Sequence, residues 1–134
     1  MSALWLVTLE IPLAKALPSL ANARLHWAHK ARTVKAQRHT TALHLRARGA
    51  AFLREWGVMR PNENLRLECT LTRVAPKRLD DDNLAAAFKA VRDQVAAECG
   101  IDDGSARWDW KYSQEHGAPA IRIRLEVLQR EVGR

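Results

Sequence analysis

Two stretches of alternating apolar and polar residues constrain the fold of this chain most. Apolar side chains occupy every second position from Leu65 to Leu71 and again from Ile121 to Val127, with polar or charged residues between them. Side chains of a β-strand point alternately to its two faces, so both stretches are predicted to be strands with one buried face. A sheet of this kind requires other elements, most simply helices, to cover that face.

Two helices are predicted to provide the cover. The first runs from Ala23 to about Trp56, and the second from about Asn83 to Glu98, where Gly100 ends it. Each has an apolar stripe at helical spacing, and Arg38 falls within the first stripe. That stripe consists of Trp27, Ala31, Val34, Leu45, Gly49, Phe52 and Trp56. The second stripe consists of Leu84, Phe88, Val91 and Val95. Core packing is therefore expected even for Trp27.

Two further strands complete the predicted order of elements. Leu4 to Ile11 is apolar and β-branched enough for a buried strand, and Trp108 to Tyr112 alternates like the two stretches above. The latter is expected to form a hairpin with Ile121 to Val127 across a turn at Gly117 to Pro119. The order β-α-β-α-β-β predicts an α/β (α+β) fold, a small mixed sheet with two helices packed on it, with residues 1–134 as a single domain.

The sequence offers no sign of export or of a membrane span. Met1 to Leu13 contains Glu10 and lacks a basic start, and no apolar run approaches the roughly 20 residues that a span requires. Cys69 and Cys99 are 30 positions apart, without Cys-x-x-Cys spacing, and are expected to be buried thiols in a reducing compartment. A cytoplasmic protein that does not bind membranes is predicted.

Positive charge is concentrated in the first predicted helix and the segment before it. The net charge is +7, and no acidic residue lies between Glu10 and Glu55. A solvated basic helix face is one interpretation, but this many uncompensated cations favour a polyanionic partner, most commonly nucleic acid. The nine cations of the interval are Lys15, Arg24, Lys30, Arg32, Lys35, Arg38, Arg46, Arg48 and Arg54.

Against this basic background, the run Asp80-Asp81-Asp82-Asn83 is conspicuous, and Asp102-Asp103 follows the second predicted helix. Clustered carboxylates repel one another and raise one another's pKa unless a cation lies among them, and oxygen ligands of this kind suit a hard divalent metal. Helix capping by the first group and a turn at the second are the structural alternatives. An EF-hand loop fits poorly, since Ala85 stands where glycine is expected.

Lys89 and Asp93 are four residues apart and therefore share a helix face. They form an exposed ion pair of little energetic weight, or Lys89 contacts a phosphate and stabilises charge that develops there. Carboxylates, a divalent metal and a lysine together suggest metal-assisted phosphodiester hydrolysis. His26 and His29 have no carboxylate near them in sequence and are expected to be surface residues.

These residues resemble the RusA family of Holliday junction resolvases, which includes many phage and prophage members. The resemblance rests on Arg78-x-Asp80-x-Asp82-Asn83-Leu84, on Lys89 with Asp93, and on Asp102-Asp103. It extends more loosely to Pro18-Ser19-x-x-x-Asn22-x-Arg24 and to the order of the strands, and so covers most of the chain.

The resemblance implies a homodimeric endonuclease of DNA recombination and repair, in a bacterial or phage-infected cell, that cuts four-way DNA junctions by paired nicks. Its cofactor would be Mg²⁺, with Mn²⁺ as a substitute. Asp80, Asp82 and Asp103 match the catalytic aspartates that bind metal, and Lys89 matches the catalytic lysine. In the bacterial pattern the lysine follows the asparagine by three positions, where this chain has Ala86, so an insertion of three residues restores the match.

Phosphates of the junction are expected to bind the first helix and the loop before it, through Asn22, Arg24, Lys30, Arg32, Lys35 and Arg38. Trp27, or the apolar loop before the helix, is a candidate wedge at the crossover. Two other functions are consistent with the sequence. One is a non-catalytic nucleic-acid-binding module whose aspartates only cap and turn, and the other is a metal-dependent nuclease for flaps or other branched DNA.

Overall fold

In a computed structural model, which describes residues 2–19 and 27–129, strands and helices follow the predicted order, with each predicted helix divided in two. The predicted fold class is confirmed. The described elements are β1 (Ser2–Pro12), α1 (Trp27–Arg48), α2 (Ala50–Met59), β2 (Leu65–Ala75), α3 (Asp81–Ala87), α4 (Lys89–Cys99), β3 (Trp108–His116) and β4 (Ala120–Gln129).

The four strands form one mixed sheet in the order β1-β4-β2-β3. β4 is antiparallel to both of its neighbours, β1 and β2, whereas β2 and β3 run parallel, in a register that aligns Leu67 with Trp108. The predicted hairpin of β3 and β4 is therefore wrong, because β2 lies between them. As an inner strand, β4 buries Ile123, Leu125 and Val127 completely.

A short loop connects β3 to β4 across the end of β2, a step of about 10 Å between strand axes. The amide of Gly117 donates to the carbonyl of Ala75 at 3.3 Å, so the loop lies directly against the end of β2. A Cβ at Gly117 would lie 2.9 Å from a methyl carbon of Val74. This close approach explains why glycine occupies the turn.

Gly49 separates α1 from α2 within what the sequence predicts as one helix. Its amide donates to the carbonyl of Leu45 at 2.7 Å, and a Cβ there would lie 2.8 Å from that oxygen. A larger residue would force the two helices apart. The second predicted helix is divided at the fully buried Phe88, and Gly100, with φ of 69°, ends it in the left-handed conformation as predicted.

One hydrophobic core lies between the apolar face of the sheet and the helices. The indole nitrogen of Trp56, in α2, donates to the carbonyl of Cys99 at 2.8 Å, and the Arg107 guanidinium lies 5.2 Å from the centre of its ring. The predicted stripe of the second helix is confirmed, since all of its members are buried. These are Leu84, Phe88, Val91 and Val95.

The predicted stripe of the first helix is confirmed only in its second half. Leu45, Phe52 and Trp56 are buried, but Trp27 is 76% exposed and Ala31 is exposed. The expected packing of Trp27 in the core is therefore wrong, because the buried residues of α1 begin only at Thr41. Arg38, within the same stripe, is also exposed. Residues 23–26, which the prediction included in this helix, lie outside the described part of the chain.

Cys69 and Cys99 are both free and buried, as predicted. Burial raises the pKa of the Cys99 thiol to about 12 and that of Cys69 well above its ordinary value, so both are protonated at neutral pH. None of the helices in the described ranges is both long and apolar enough to cross a membrane.

Two leucines of α1 provide a matched test of this packing. Leu45 is fully buried, whereas Leu43, two residues earlier, is 57% exposed. We expect Leu45→Ala to lower the free energy of unfolding by about 2–5 kcal/mol, because it leaves a cavity in the core. Leu43→Ala should change it by no more than about 0.5 kcal/mol. Chemical denaturation monitored by circular dichroism measures both, and equal effects would contradict the packing described.

Candidate functional site

The predicted acidic run lies at the start of α3, directly after the loop that follows β2. Asp80 is the N-cap of this helix, with an extended backbone, and its Oδ1 accepts a hydrogen bond from the amide of Asn83 at 2.9 Å. Helix capping, one of the structural alternatives for this run, is therefore observed, and Asp80 is the residue that performs it. Asp80, Asp81 and Asp82 are all exposed, so their carboxylates are accessible to a ligand.

The loop that carries this run is fixed to the sheet by two side chains. Gln114 of β3 accepts from the amide of Leu79 and donates to its carbonyl, both at 2.8 Å. Arg73 of β2 is only 6% exposed and donates from Nε to the carbonyl of Leu17 and from an Nη to that of Lys77, both at 2.7 Å. Together these bonds hold the approach to Asp80 in one position.

The Arg73 guanidinium carries its charge into the protein interior. Burial lowers its pKa, but an arginine remains protonated at neutral pH. Within the described residues the structure gives it no carboxylate partner. The backbone carbonyls of Leu17 and Lys77 therefore stabilise the buried cation. The arginine in turn links the two chain segments that contain them.

The segment before α1 also contacts the acidic run. The hydroxyl of Ser19 donates to Oδ1 of Asn83 at 2.9 Å, a contact between residues 64 positions apart. The loop with the predicted Pro-Ser approach therefore lies beside the Asp-Asn motif. The predicted DNA-binding residues Asn22 and Arg24 belong to the same segment, but they lie outside the described part of the chain.

The second acidic group surrounds a small pocket beside α4. The pocket, of about 270 Å³, is lined by Asp93 of the helix and by Asp102 and Asp103 of the following turn. Asp102 accepts from the amide of Gly104 at 3.1 Å, which is the turn interaction that its sequence context suggests. Asp103, the predicted metal ligand, is half-buried.

Arg92 of α4 is the partner of Asp103. Its Nε lies 3.2 Å from the Asp103 carboxylate, and one Nη donates to the Tyr112 hydroxyl at 3.0 Å. The guanidinium also lies 4.7 Å from the centre of the Trp110 ring, and the Trp110 indole donates to the carbonyl of Asp103 at 2.9 Å. Asp103 thus has a cation of the protein itself at the place where the sequence predicts a metal.

The structure does not bring the three predicted metal ligands together. Asp80 and Asp82 flank the start of α3, whereas Asp103 lies near Arg92, and from Asp82 to Asp93 alone the helices rise about 16 Å. Across the described ranges, no three His, Cys, Asp or Glu side chains are close enough to hold a metal ion. The carboxylates have the donor chemistry of a magnesium site, but this arrangement does not provide its geometry.

Lys89 lies between the two acidic groups. Its side chain is 77% exposed, and its ammonium is 3.4 Å from the Asp93 carboxylate, as the predicted exposed ion pair. Together with Asp93 it lines a second pocket, of about 230 Å³, whose other wall includes Lys30 and Val34 of α1. The predicted catalytic lysine and a predicted DNA-binding lysine therefore border the same pocket.

The predicted DNA-binding cations of α1 are accessible. Lys30, Arg32, Lys35 and Arg38 are all exposed. Arg38 donates to the neutral amide of Gln94 at 3.0 Å. Further along the helix, Arg46 is 2.7 Å from Glu98, and this carboxylate raises the pKa of the arginine. The first half of α1 therefore has more uncompensated positive charge than the second.

Comparison with known proteins does not assign a family. No family model matches this sequence. The chain is 37% identical over 84 residues to a protein of Xylella fastidiosa (strain Temecula1) whose description is "Uncharacterized protein". The match covers 61% of this chain, which spans about half, 51%, of the length of that relative.

Sequence reasoning missed the two arginines that organise this region, although their spacing contained the signal. Arg73 continues the alternation of Leu67, Cys69 and Leu71, so it stands at a position that faces the core. Arg92 follows Phe88 by four residues, which places it beside the apolar stripe of its helix. A charged residue at an apolar position of a regular pattern indicates a buried or shielded contact.

We expect Arg73→Met to lower the free energy of unfolding by about 2–4 kcal/mol, because two carbonyls lose a charged donor. Arg66→Met is the matched control, since Arg66 lies on the other face of β2 and is only half-buried; it should cost about 0.5 kcal/mol or less. Amide hydrogen exchange after Lys77 should also accelerate in the Arg73 variant alone. Unchanged exchange there would show that Arg73 does not fix the loop.

Proposed function

We propose that this protein is a RusA-like endonuclease that acts on four-way DNA junctions as a homodimer in the cytoplasm. The observation that carries the proposal is the shared pocket of α1 and the α3–α4 segment. Lys30 and Val34 lie on one side of it, and Lys89 and Asp93 lie on the other. A DNA backbone bound along α1 would thereby reach Lys89, which resembles the catalytic lysine of that family, and its partner Asp93.

DNA binding by α1 is supported by electrostatics. The helix has no acidic residue from Trp27 to Arg48, and the cations of its first half are exposed. Lysine and arginine side chains on such a surface bind phosphates, and counterion release makes the affinity fall steeply with salt. Binding of this kind positions the DNA without reading its sequence. A two-fold dimer would present two such surfaces to the symmetric strands of a junction.

Hydrolysis is supported by the exposed carboxylates and by Lys89. Asp80 and Asp82 are accessible at the start of α3, and the Lys89 ammonium, on a flexible stem, is free to move from Asp93 to a phosphate oxygen. The part of Mg²⁺, or Mn²⁺, in this proposal rests on carboxylate chemistry and on the resemblance. The arrangement of Asp80, Asp82 and Asp103 does not support it, so no catalytic step is assigned to a metal.

A non-catalytic DNA-binding protein is the second candidate, and two contacts favour it. Asp80 caps α3 through the amide of Asn83, and Asp103 pairs with Arg92. Both carboxylates thus already have structural roles that require no metal. This candidate shares the α1 surface with the first and differs only in the absence of cleavage.

The two candidates are distinguished by a labelled four-way junction incubated with and without Mg²⁺. The endonuclease proposal expects paired nicks that require the metal, and it expects linear duplex to remain intact. Binding without cleavage in Mg²⁺ or Mn²⁺ would leave the non-catalytic candidate. Cutting of flaps in preference to junctions would show that the substrate is another branched DNA and not the four-way junction.

Asp82→Asn tests the role of the first carboxylate group. We expect it to abolish cleavage while junction binding is retained or strengthened, because a negative charge near the phosphate is removed. Asp109→Asn is the control, since Asp109 is exposed on β3, outside both acidic groups. Gel shift and cleavage assays measure the two effects. If Asp82→Asn instead unfolds the protein or abolishes binding, the carboxylate is structural.

Lys35→Ala tests the α1 surface. It should weaken binding of the junction and reduce the slope of log affinity against log salt by about 1, as expected when one phosphate contact is lost. Lys111→Ala provides the control, because Lys111 lies on β3 and pairs with Glu68 at 3.3 Å. Fluorescence anisotropy at several salt concentrations gives both slopes. A larger change for Lys111 would place the DNA on the sheet instead.

A further inference from the structure

The first half of α1 exposes an apolar strip between its cations. Trp27, Ala31 and Val34 recur at intervals of four and three residues, so they lie on one helix face, and Lys30, Lys35 and Arg38 border them. These side chains line an open groove of about 720 Å³ on the side of α1 toward Gln94 of α4. The groove thus has an apolar floor and a cationic rim.

Trp27 is the most unusual residue of the groove. It is 76% exposed, although an indole is among the largest apolar side chains and is normally mostly covered. An exposed aromatic ring among cations is the arrangement by which proteins bind nucleotides, because the ring stacks on a base and the cations contact the phosphates.

We propose that this groove binds nucleotides that become unpaired at the crossover of a branched DNA, with a base stacked on Trp27 and phosphates on Lys30 and Lys35. The inference rests on the proposed function, and it names the part of the substrate that α1 contacts. In a paired duplex the faces of the bases are covered by their neighbours, so an exposed indole cannot stack on them. Unpaired nucleotides present both a base face and a phosphate.

The charges of the groove favour a polyanion over a protein surface. Within the described residues, neither Lys30 nor Lys35 has a carboxylate partner, because the nearby acids of α4 are engaged elsewhere. Asp93 pairs with Lys89, and Glu98 pairs with Arg46. A second copy of this chain would bring the same basic helix to the groove and would place like charges together.

The groove is continuous with the pocket at Lys89. Lys30 and Val34 line both, so a strand bound on the α1 groove leads directly to Lys89 and Asp93. The groove would therefore hold unpaired nucleotides beside Lys89 and Asp93. This position explains how a protein with non-specific phosphate contacts could select a branch point over plain duplex.

The test compares Trp27→Ala with Trp5→Ala, since Trp5 is 41% exposed but lies on the edge strand β1. Affinity is measured by anisotropy for a labelled oligothymidylate of about twenty nucleotides and for a duplex of equal length. We expect Trp27→Ala to weaken oligothymidylate binding about tenfold and to leave duplex binding within about twofold. Trp27→Phe should retain most of the affinity, and Trp5→Ala should change neither.

Equal losses on both DNAs, or no loss, would overturn the inference. A fall in molecular mass by sedimentation for Trp27→Ala, with oligothymidylate affinity unchanged, would overturn it in favour of a second copy at the groove. A separate assay, Mg²⁺-dependent cleavage of a junction by the wild type, tests the proposed function. Trp27-dependent binding without cleavage would reject the endonuclease alone, and cleavage with no effect of Trp27 would reject the groove alone.

Discussion

The parallel pairing of β2 with β3 determines where the acidic side chains lie. Two parallel neighbours need a crossover connection, and α3 and α4 provide it. The residues that enter such a crossover lie at the end of the first strand, and those that leave it lie at the beginning of the second, which is the opposite edge of the sheet. Asp80 and Asp82 therefore lie near the end of β2, whereas Asp103 lies toward the beginning of β3. The turn after α4 folds back only as far as Arg92, which leaves the two acidic groups apart.

Two arginines give the two acidic groups different electrostatic environments. Arg73 is buried and fixes the loop before Asp80 through backbone carbonyls, so it leaves the nearby carboxylates exposed and unneutralised. Arg92 contacts the carboxylate of Asp103 directly and stacks on Trp110. The carboxylates of the first group are thus open to solvent, whereas the second group already has a guanidinium of the protein beside it. Lys89 follows the first group along the chain, is exposed, and pairs with Asp93.

Local periodicity predicted the strands and helices of this fold. It could not predict how elements that are distant along the chain pack against one another. Alternation identified β2 and β4 because burial of one face is a property of each strand. It could not show that β4 lies between β1 and β2, since that order depends on which strand buries most apolar surface. Helical spacing likewise predicted the core positions Leu45 and Trp56. It could not distinguish the half of α1 that contributes buried residues from the half that carries Trp27.

In the candidate site, too, local features could be predicted from the sequence and contacts between distant residues could not. Residue types and spacing predicted an acidic run at the start of the second helix and an ion pair between Lys89 and Asp93, and the structure contains both. The separation of the acidic run from Asp103 depends on the topology of the crossover, which the sequence does not display. The Ser19–Asn83 contact and the pocket shared by α1 and α4 also join residues that are far apart along the chain.

In the proposed function, DNA binds on the face formed by α1 and α4. Lysine footprinting tests this placement by acetylating the protein with and without a four-way junction and measuring each lysine by mass spectrometry. We expect the junction to protect Lys30, Lys35 and Lys89 and to leave the labelling of Lys111, on the outer face of the sheet, unchanged. Protection of Lys111 with full labelling of the three helix lysines would contradict it.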